Sequence, residues 1–216
     1  MNDFLNIATS FGADKCTQHG YHFFYPQHIE HLREKQFNLL EIGFDGGNSA
    51  RFWRQYFPQA KLHFLDIKHS DQQGDWVLFT GDQSNINDLE SLSKAIGSCE
   101  LIIDDGSHVP THQWESFVYL FNHLLTPGGT YIIEDIECNW WNADATIYGY
   151  KIGYFNFVEK SKSMVEMINA EFSGKKNYLK ISSITYGQNC IIIKKQTEEE
   201  SNYFNREYRF KNVTLY

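Results

Sequence analysis

The sequence predicts an α/β domain with a Rossmann-like, doubly wound and mostly parallel sheet that ends in an antiparallel hairpin. Short apolar runs alternate with segments of helical spacing, a pattern typical of a parallel sheet covered by helices on both faces. Two further runs, 178–186 and 190–193, are joined by three residues, and so short a connection permits only an antiparallel pair. The parallel strands are predicted at 37–43, 61–67, 76–79, 100–104 and 130–134.

The clearest helix is predicted after residue 110, where apolar residues recur at spacings of three and four and form one stripe. Pro110 suits the first turn of this helix, and the Thr-Pro-Gly-Gly segment 126–129 is expected to end it. Further helices are expected over 50–57 and 157–172. The stripe consists of Trp114, Phe117, Val118, Phe121, Leu124 and Leu125.

The composition is that of a globular domain, because 42% of the 216 residues are hydrophobic and 16% are aromatic. Lysine and arginine number 19 against 27 aspartates and glutamates, so the formal charge is −8, and no basic cluster compensates it. Binding to nucleic acid or to an anionic membrane needs clustered positive charge and is therefore not expected. The four cysteines form no Cys-x-x-Cys pair, which disfavours a disulfide scaffold or a zinc ribbon.

One domain is expected over 1–216, with an N-terminal lid and helix at 1–36, the core at 37–195 and a tail at 196–216. The first residues lack the basic and apolar regions of a signal peptide, and no apolar run approaches the roughly 18 residues of a membrane span. A cytoplasmic location is therefore predicted. Two alternatives stay open for the tail, which either crosses to a partner subunit of a homo-oligomer or folds over the sheet.

A glycine-rich loop, 41–47, follows the first predicted strand. In a doubly wound sheet, ligands bind beyond the carboxyl ends of the strands, and glycines there let backbone N–H groups approach a ligand closely. Asp66 ends the second strand, where a carboxylate can accept hydrogen bonds from ribose hydroxyls. Taken alone, these residues fit a tight turn and a surface aspartate equally well. A nicotinamide-binding fold is disfavoured because Gly43, Gly46 and Gly47 do not have the G-x-G-x-x-G spacing.

Acidic residues follow the fourth and fifth predicted strands. Neighbouring strands would bring Asp105, Glu134 and Asp135 to one rim, where the carboxylates would raise one another's pKa unless a cation lay between them. Carboxylate oxygens suit Mg²⁺, so a magnesium site is predicted at these three residues. His108 lies near the same rim, and an imidazole can act as a general base near neutral pH. For each acid taken singly, a solvated strand terminus is the alternative.

The other histidines are not expected to hold a metal. Pro110 places His108 before the helix, so His112 need not share a face with it and is expected to be an ordinary helix residue. Structural zinc sites usually show paired ligands separated by a longer loop. That spacing is not found in the N-terminal group of Cys16, His19, His22, His28 and His31.

The loop 41–47 resembles the E-x-G-x-G-x-G loop of S-adenosylmethionine-dependent methyltransferases, with Asp45 in place of the middle glycine. The segments 104–108 (Asp-Asp-Gly-Ser-His) and 134–135 (Glu-Asp) resemble those of the metal-dependent macrolide-sugar O-methyltransferases of the mycinamicin type. The wider resemblance covers most of the chain and includes 12–15, 19–21, 40–43, 52–53 and 168–172.

This resemblance implies the class I methyltransferase fold, S-adenosylmethionine and Mg²⁺ as cofactors, and methyl transfer to a hydroxyl of a sugar or another polyhydroxylated small molecule. It also implies that Asp105, Glu134 and Asp135 hold the metal and that His108 deprotonates the acceptor. The macrolide enzymes carry an extra N-terminal region that this chain lacks, so their substrate is not carried over. The residues expected to bind the methyl donor are Glu41, Gly43, Gly47, Asp66, Asp82, Gln83, Asp104 and Tyr21.

Several interpretations stay open. Lys15 and Tyr21 either belong to a lid over the cofactor or pack within the N-terminal region, and Trp140 and Trp141 either wall the acceptor pocket or pack elsewhere. A metal-dependent hydrolase or oxygenase could use the same acidic rim, but an iron oxygenase of the two-histidine type needs a second imidazole besides His108. A non-catalytic S-adenosylmethionine-binding domain would have no use for the acidic cluster.

Overall fold

The computed structural model of the chain describes residues 3–68 and 74–204. The end of the predicted tail, 205–216, lies outside the described residues. Among the described helices, none is long and apolar enough to cross a membrane.

Seven of the nine described strands form one sheet. The strands are β1 (Asn38–Ile42), β2 (Lys61–Asp66), β3 (Val77–Thr80), β4 (Cys99–Asp104), β5 (Leu125–Glu134), β6 (Thr146–Ile147), β7 (Tyr150–Lys151), β8 (Ile181–Gly187) and β9 (Cys190–Lys195). The order in the sheet is β3-β2-β1-β4-β5-β9-β8, while β6 and β7 form a separate hairpin. Strands β1 to β5 pair in parallel, and β9 is antiparallel to both β5 and β8. The predicted fold class is confirmed.

The helices lie between these strands in the alternation that the sequence predicts. They are α1 (Asp3–Phe11), α2 (Asp14–Thr17), α3 (Pro26–Ile29), α4 (Asn48–Tyr56), α5 (Ile86–Ile96), α6 (Pro110–His123), α7 (Phe157–Ser163), α8 (Val165–Ile168), α9 (Ala170–Ser173) and α10 (Glu198–Phe204). Short 3₁₀ turns occupy Tyr21–Phe23, Glu30–Leu32 and Ile136–Trp140. Pro110 lies in the first turn of α6, as predicted.

Two predicted elements differ from the structure. The single helix expected over 157–172 is divided into α7, α8 and α9. Met164 separates the first two, and the backbone leaves the helical conformation at Asn169 between the last two. Met164 and Met167 lie in the core, whereas Val165 and Phe172 are half exposed. The segment 126–129, which was expected to end α6, lies within β5 instead. The register between β4 and β5 shifts at this segment.

The two faces of the sheet carry separate buried clusters, because successive residues of a strand point to opposite faces. Leu39 of β1 belongs to the cluster under α1 and α4, whereas Leu40 belongs to the cluster under α5 and α6. The first cluster is rich in aromatic rings, and the N-terminal segment packs into it through Phe4 and Tyr25. Since both faces are covered, the edge at the carboxyl ends of the strands is where a ligand can enter.

Candidate active site

A cavity of about 1010 Å³ lies at the carboxyl ends of the parallel strands. Loops that follow β1, β2, β3, β4 and β5 all contribute to its lining, which is the place where ligands bind in open α/β sheets. The tertiary structure thus brings together residues that are far apart in the sequence. The predicted site residues that line the cavity are Gly43, Asp66, Asp82, Gln83, Asp105, His108 and Asp135.

The loop after β1 depends on its glycines for two different reasons. Gly43 has a φ of 96°, and a Cβ at this position would overlap the carbonyl oxygen of Asp105, so the loop can approach β4 only without a side chain. Asp45 replaces the middle glycine of the methyltransferase pattern at a φ of 42°, a left-handed conformation that aspartate tolerates better than most residues. Gly47 is the residue before α4, with a φ of 71°, and does not line the cavity, so its cofactor contact stays a prediction.

Asp66 joins the first two loops of the site. One of its carboxylate oxygens accepts a hydrogen bond from the backbone N–H of Phe44 (2.9 Å), and the other accepts one from the N–H of Lys68 (2.8 Å). Asp82 accepts hydrogen bonds from the backbone and hydroxyl of Ser84 and from the hydroxyl of Tyr150 (3.1 Å). Burial alone would raise the pKa of Asp82, but these hydrogen bonds hold it below its usual value.

Asp104 lies beneath the site and does not line the cavity, so its role toward the cofactor stays a prediction. It is fully buried, and its two oxygens accept hydrogen bonds from the amide of Gln83 (3.0 and 3.1 Å) and the hydroxyl of Ser116 (2.7 Å). Burial raises the pKa of Asp104 above its usual value. The other end of the Gln83 amide accepts a hydrogen bond from the backbone N–H of Ser107 (2.7 Å), so Asp104 orients Gln83 and, through it, the loop after β4.

The ammonium group of Lys15 lies among three carboxylates. Its Nζ is 3.0 Å from Glu41, 2.9 Å from Asp105 and 2.6 Å from Glu134. Lys15 is fully buried, and burial alone would lower its pKa, but the neighbouring carboxylates raise it well above the usual value. The cation that the predicted cluster of acids requires is therefore supplied in part by the chain itself.

Three residues with predicted roles are held inside this arrangement, and those roles stay predictions. Glu134, predicted as a metal ligand, is buried, paired with Lys15 and hydrogen-bonded by the hydroxyl of Tyr25. Glu41, predicted to contact the cofactor, is fully buried between Lys15 and the hydroxyl of Ser49. Tyr21 is also fully buried, so Lys15 and Tyr21 belong to the packed N-terminal region and do not line the cavity.

Among the described residues, a single group has the geometry to hold a metal ion: Asp105, His108 and Asp135, whose ligand atoms lie within 4.8 Å of one another. His108 and Asp135 both have left-handed backbones, with φ values of 57° and 50°, and such strain in non-glycine residues is common at functional sites. Burial and the charge of Asp105 raise the pKa of Asp135, whose side chain accepts a hydrogen bond from Tyr21 (2.7 Å).

The remaining histidines lie outside this metal-compatible group. His112 is a residue of α6, as predicted, and its Nδ1 lies 3.0 Å from the hydroxyl of Ser107. His19 approaches Asp135, with Nδ1 3.3 Å from the carboxylate, a proximity that the sequence pattern did not indicate. The group that could hold a metal still contains one imidazole and two carboxylates.

Two aromatic residues of the cavity lining were missed by sequence reasoning. Tyr148 and Tyr150 belong to the β6–β7 hairpin and line the cavity, whereas Trp140 and Trp141 do not and are exposed at 66% and 44%. Gly149 is the one residue of this turn that matches the usual hairpin signal, and Tyr148 before it does not, so the sequence gives little indication of the hairpin.

Comparisons with known proteins agree with this architecture. The chain is 34% identical over 146 residues to 8-demethyl-8-alpha-L-rhamnosyl tetracenomycin-C 2'-O-methyltransferase of Streptomyces olivaceus, which covers 63% of this chain and 38% of that protein. It is 35% identical over 132 residues to mycinamicin VI 2''-O-methyltransferase of Micromonospora griseorubida, covering 56% of this chain and 33% of that protein. The chain therefore spans little more than a third of the length of these curated relatives. No protein-family model matches it.

The solved structures decide the fold. MycE methyltransferase from the mycinamycin biosynthetic pathway, in complex with Mg, SAH and mycinamycin VI, superposes with a TM-score of 0.79 at 27% identity, over 92% of this chain and 54% of that one. This chain has the class I methyltransferase fold. The resemblance to macrolide-sugar O-methyltransferases that the sequence motifs indicate is confirmed.

The cavity is large for a ligand pocket. Ligand pockets usually measure about 300–1,000 Å³, and this one lies at the upper end of that range, at about 1010 Å³. Gly43, Asp66 and Gln83 line the same cavity as the carboxylates and imidazole of the metal-compatible group. The arrangement has room for a donor molecule and an acceptor next to each other.

Proposed function

We propose that this protein is an S-adenosylmethionine-dependent, Mg²⁺-dependent O-methyltransferase that transfers a methyl group to a hydroxyl of a sugar or another polyhydroxylated small molecule. The observation that carries the proposal is that the glycine loop after β1 and the Asp105–His108–Asp135 group open into the same cavity. The relatives support it, because both are named as O-methyltransferases and the name of the first specifies a rhamnosyl acceptor. The chain spans only part of those relatives, so the activity is inferred from this site.

The methyl donor would lie along the loops after β1, β2 and β3. Gly43 leaves the backbone free of side chains, Asp66 offers carboxylate oxygens for ribose hydroxyls, and Asp82 and Gln83 offer polar groups for the adenine edge. S-adenosylmethionine carries its methyl group already activated on a sulfonium. The chain then has to hold an acceptor oxygen in line with that methyl group and to exclude competing orientations.

The metal-compatible group fits a hard divalent cation. Asp105 and Asp135 supply carboxylate oxygens, the ligand type that Mg²⁺ prefers, and the cation commonly keeps open positions for other oxygens. When bound, such a cation polarises the hydroxyl groups that it coordinates. Asp105 and Glu134 both pair with Lys15, but Asp105 and Asp135 line the cavity whereas Glu134 is buried and does not, so the described geometry favours Asp105 and Asp135.

His108 is the residue that we propose as general base. His108 lines the cavity, and its Nδ1 is buried without a hydrogen-bond partner among the described residues. It lies with Asp105 and Asp135, beside which an acceptor hydroxyl would bind. A positioned general base typically contributes a factor of about 10²–10⁴ to the rate.

The alternative functions gain no support from the site. An iron oxygenase of the two-histidine type is disfavoured by the single imidazole of the metal-compatible group, and a non-catalytic domain would not need that group. A single domain over 1–216, a cytoplasmic location and a homo-oligomeric assembly stay predictions.

The proposed function is tested in two steps with the full chain. Calorimetry with S-adenosylmethionine tests donor binding, and incubation with labelled S-adenosylmethionine and methyl α-L-rhamnopyranoside tests transfer, with and without EDTA. The rhamnoside is chosen because a relative's name specifies a rhamnosyl acceptor. We expect saturable donor binding, a methylated glycoside, and loss of product with EDTA that Mg²⁺ restores. Undiminished transfer in EDTA would contradict the metal role, and absence of donor binding would contradict the whole proposal.

A further inference from the structure

The β6–β7 hairpin places an unfavourable residue in its turn. Thr146 and Ile147 pair with Lys151 and Tyr150, and the two residues between them, Tyr148 and Gly149, have φ values of 51° and 88°. Two-residue hairpin turns with positive φ at both positions strongly favour Asn-Gly or Gly-Gly. A bulky aromatic side chain in the first position is strained, and such strain persists where surrounding contacts or function require it.

The strained residue lies at the cavity. Tyr148 is part of the cavity lining, is 72% exposed, and has its ring centroid 5.8 Å from the ring of His108, with an angle of 52° between the planes. Its ring is therefore both accessible and adjacent to the imidazole that we propose as general base. An acceptor molecule bound beside His108 would therefore lie within reach of this ring.

The hairpin is held in place without the ring of Tyr148. The hydroxyl of Tyr150 donates to Asp82 (3.1 Å), and its ring packs edge-on against His112 with a centroid distance of 4.8 Å. Backbone hydrogen bonds from Ile152 to Ala145 (3.0 Å) and from Gly153 to Ala143 (3.0 Å) extend the pairing beyond the two strands. Because these contacts orient the turn, the ring of Tyr148 is not needed to hold the hairpin and can contact a ligand.

We propose that Tyr148 is an acceptor-positioning residue, whose ring forms the platform for the apolar C–H face of a pyranose while one of its hydroxyls is directed toward His108. The face of an aromatic ring is negative and attracts the polarised C–H bonds of a sugar, and aromatic side chains commonly line ligand pockets. Trp140 and Trp141 cannot take this role because they do not line the cavity. The inference rests on the proposed function and extends it to the recognition of the acceptor.

Three variants test the proposal, each measured with labelled S-adenosylmethionine and methyl α-L-rhamnopyranoside. Tyr148→Asn removes the ring but suits the turn, so we expect an unchanged or higher Tm together with a KM for the glycoside raised about tenfold or more. Tyr148→Phe keeps the ring and should retain a KM close to the wild type. Tyr154→Asn is the matched control, since Tyr154 is 93% exposed and does not line the cavity. The Kd for S-adenosylmethionine should be the same in all three.

The outcomes separate this inference from the proposed function. Wild-type KM for the glycoside in Tyr148→Asn, with transfer intact, would overturn the platform while leaving the proposed function standing. An equal rise in KM for Tyr148→Phe would also overturn it, because the hydroxyl and not the ring would then be the contact. If the wild-type protein bound S-adenosylmethionine but left the glycoside unmethylated, both the sugar acceptor and the platform would be rejected.

Discussion

The Nζ atom of Lys15 lies 2.9 Å from Oδ2 of Asp105, a residue 90 positions further along the chain. The same ammonium group pairs with Glu41 and Glu134, so one N-terminal lysine neutralises acids from the ends of β1, β4 and β5. The N-terminal segment is thereby part of the structural support of the site. Asp105 is the member of this set that also faces the cavity.

Loss of Lys15 should be costly for stability. Lys15→Met leaves Glu41 and Glu134 buried without their cation, and breaking a buried ion pair on one side typically costs about 3–5 kcal/mol. We expect a decrease of that size in the free energy of unfolding, measured by urea denaturation. Lys61→Met at an exposed position of β2 is the control and should stay within about 0.5 kcal/mol of the wild type. Equal stability of the two variants would contradict the network.

Gly43 and Gly46 offer a direct test of the loop after β1. Gly43→Ala forces a Cβ against the carbonyl oxygen of Asp105 at a positive φ, so it should destabilise the protein by about 1–3 kcal/mol and weaken S-adenosylmethionine binding. Gly46→Ala has open space around the added carbon and should be tolerated. Thermal unfolding and calorimetry measure the two effects. Similar behaviour of both variants would show that the close approach of the two loops is not required.

The role of His108 is tested by kinetics. His108→Ala should lower turnover by about 10²–10⁴-fold while leaving the Kd for S-adenosylmethionine nearly unchanged, because a general base acts on the acceptor and not on the donor. His123→Ala, at the exposed end of α6, is the control and should keep full activity. Full activity of His108→Ala on an acceptor that the wild-type protein methylates would exclude the base assignment.

The metal ligands can be tested without turnover. Mn²⁺ serves as a paramagnetic probe for the magnesium site, and its affinity is measured by electron paramagnetic resonance. Asp105→Asn and Asp135→Asn should each lower that affinity at least tenfold, whereas Asp144→Asn at an exposed position should not change it. Glu134→Gln tests whether Glu134 is a ligand in addition to Asp105 and Asp135. If it is not, as the described geometry predicts, this variant should lose stability but little Mn²⁺ affinity. A fall as large as that of Asp105→Asn would identify Glu134 as a ligand.

The titration of His63, which lies away from the site, should make the stability of the protein depend on pH. Burial, with a smaller contribution from Lys61, lowers the pKa of His63, so the unfolded chain binds the proton at a higher pH than the folded chain does. The stability linked to neutral His63 is complete above the unfolded value of about 6.5 and is lost as the pH falls through the lowered folded value. Between pH 7.5 and 5.5, wild-type unfolding free energy should therefore fall more than that of His63→Gln in urea titrations. An identical pH dependence would contradict this linkage.

Much of the fold could be predicted from local patterns. Alternation of apolar runs with helical spacing determines a parallel sheet, and the short 187–189 connection determines the closing hairpin. The boundaries that differ are those where tertiary contacts outweigh local propensity. The predicted helix 157–172 is interrupted at Met164 and Asn169, and its apolar spacing does not reveal either interruption.

The sequence by itself determined which loops meet at the site, because parallel strands bring their carboxyl ends to one edge. It therefore identified Gly43, Asp66, Asp105, His108 and Asp135 as neighbours in one cavity. Only the tertiary structure decided which acids face that cavity, since burial depends on side-chain direction and on partners from distant segments. Glu41 and Glu134 are buried in ion pairs with Lys15, and Asp104 is buried with hydrogen bonds from Gln83 and Ser116. The position of Tyr148 likewise depends on contacts that neighbouring residues of the hairpin make, so residue spacing could not predict it.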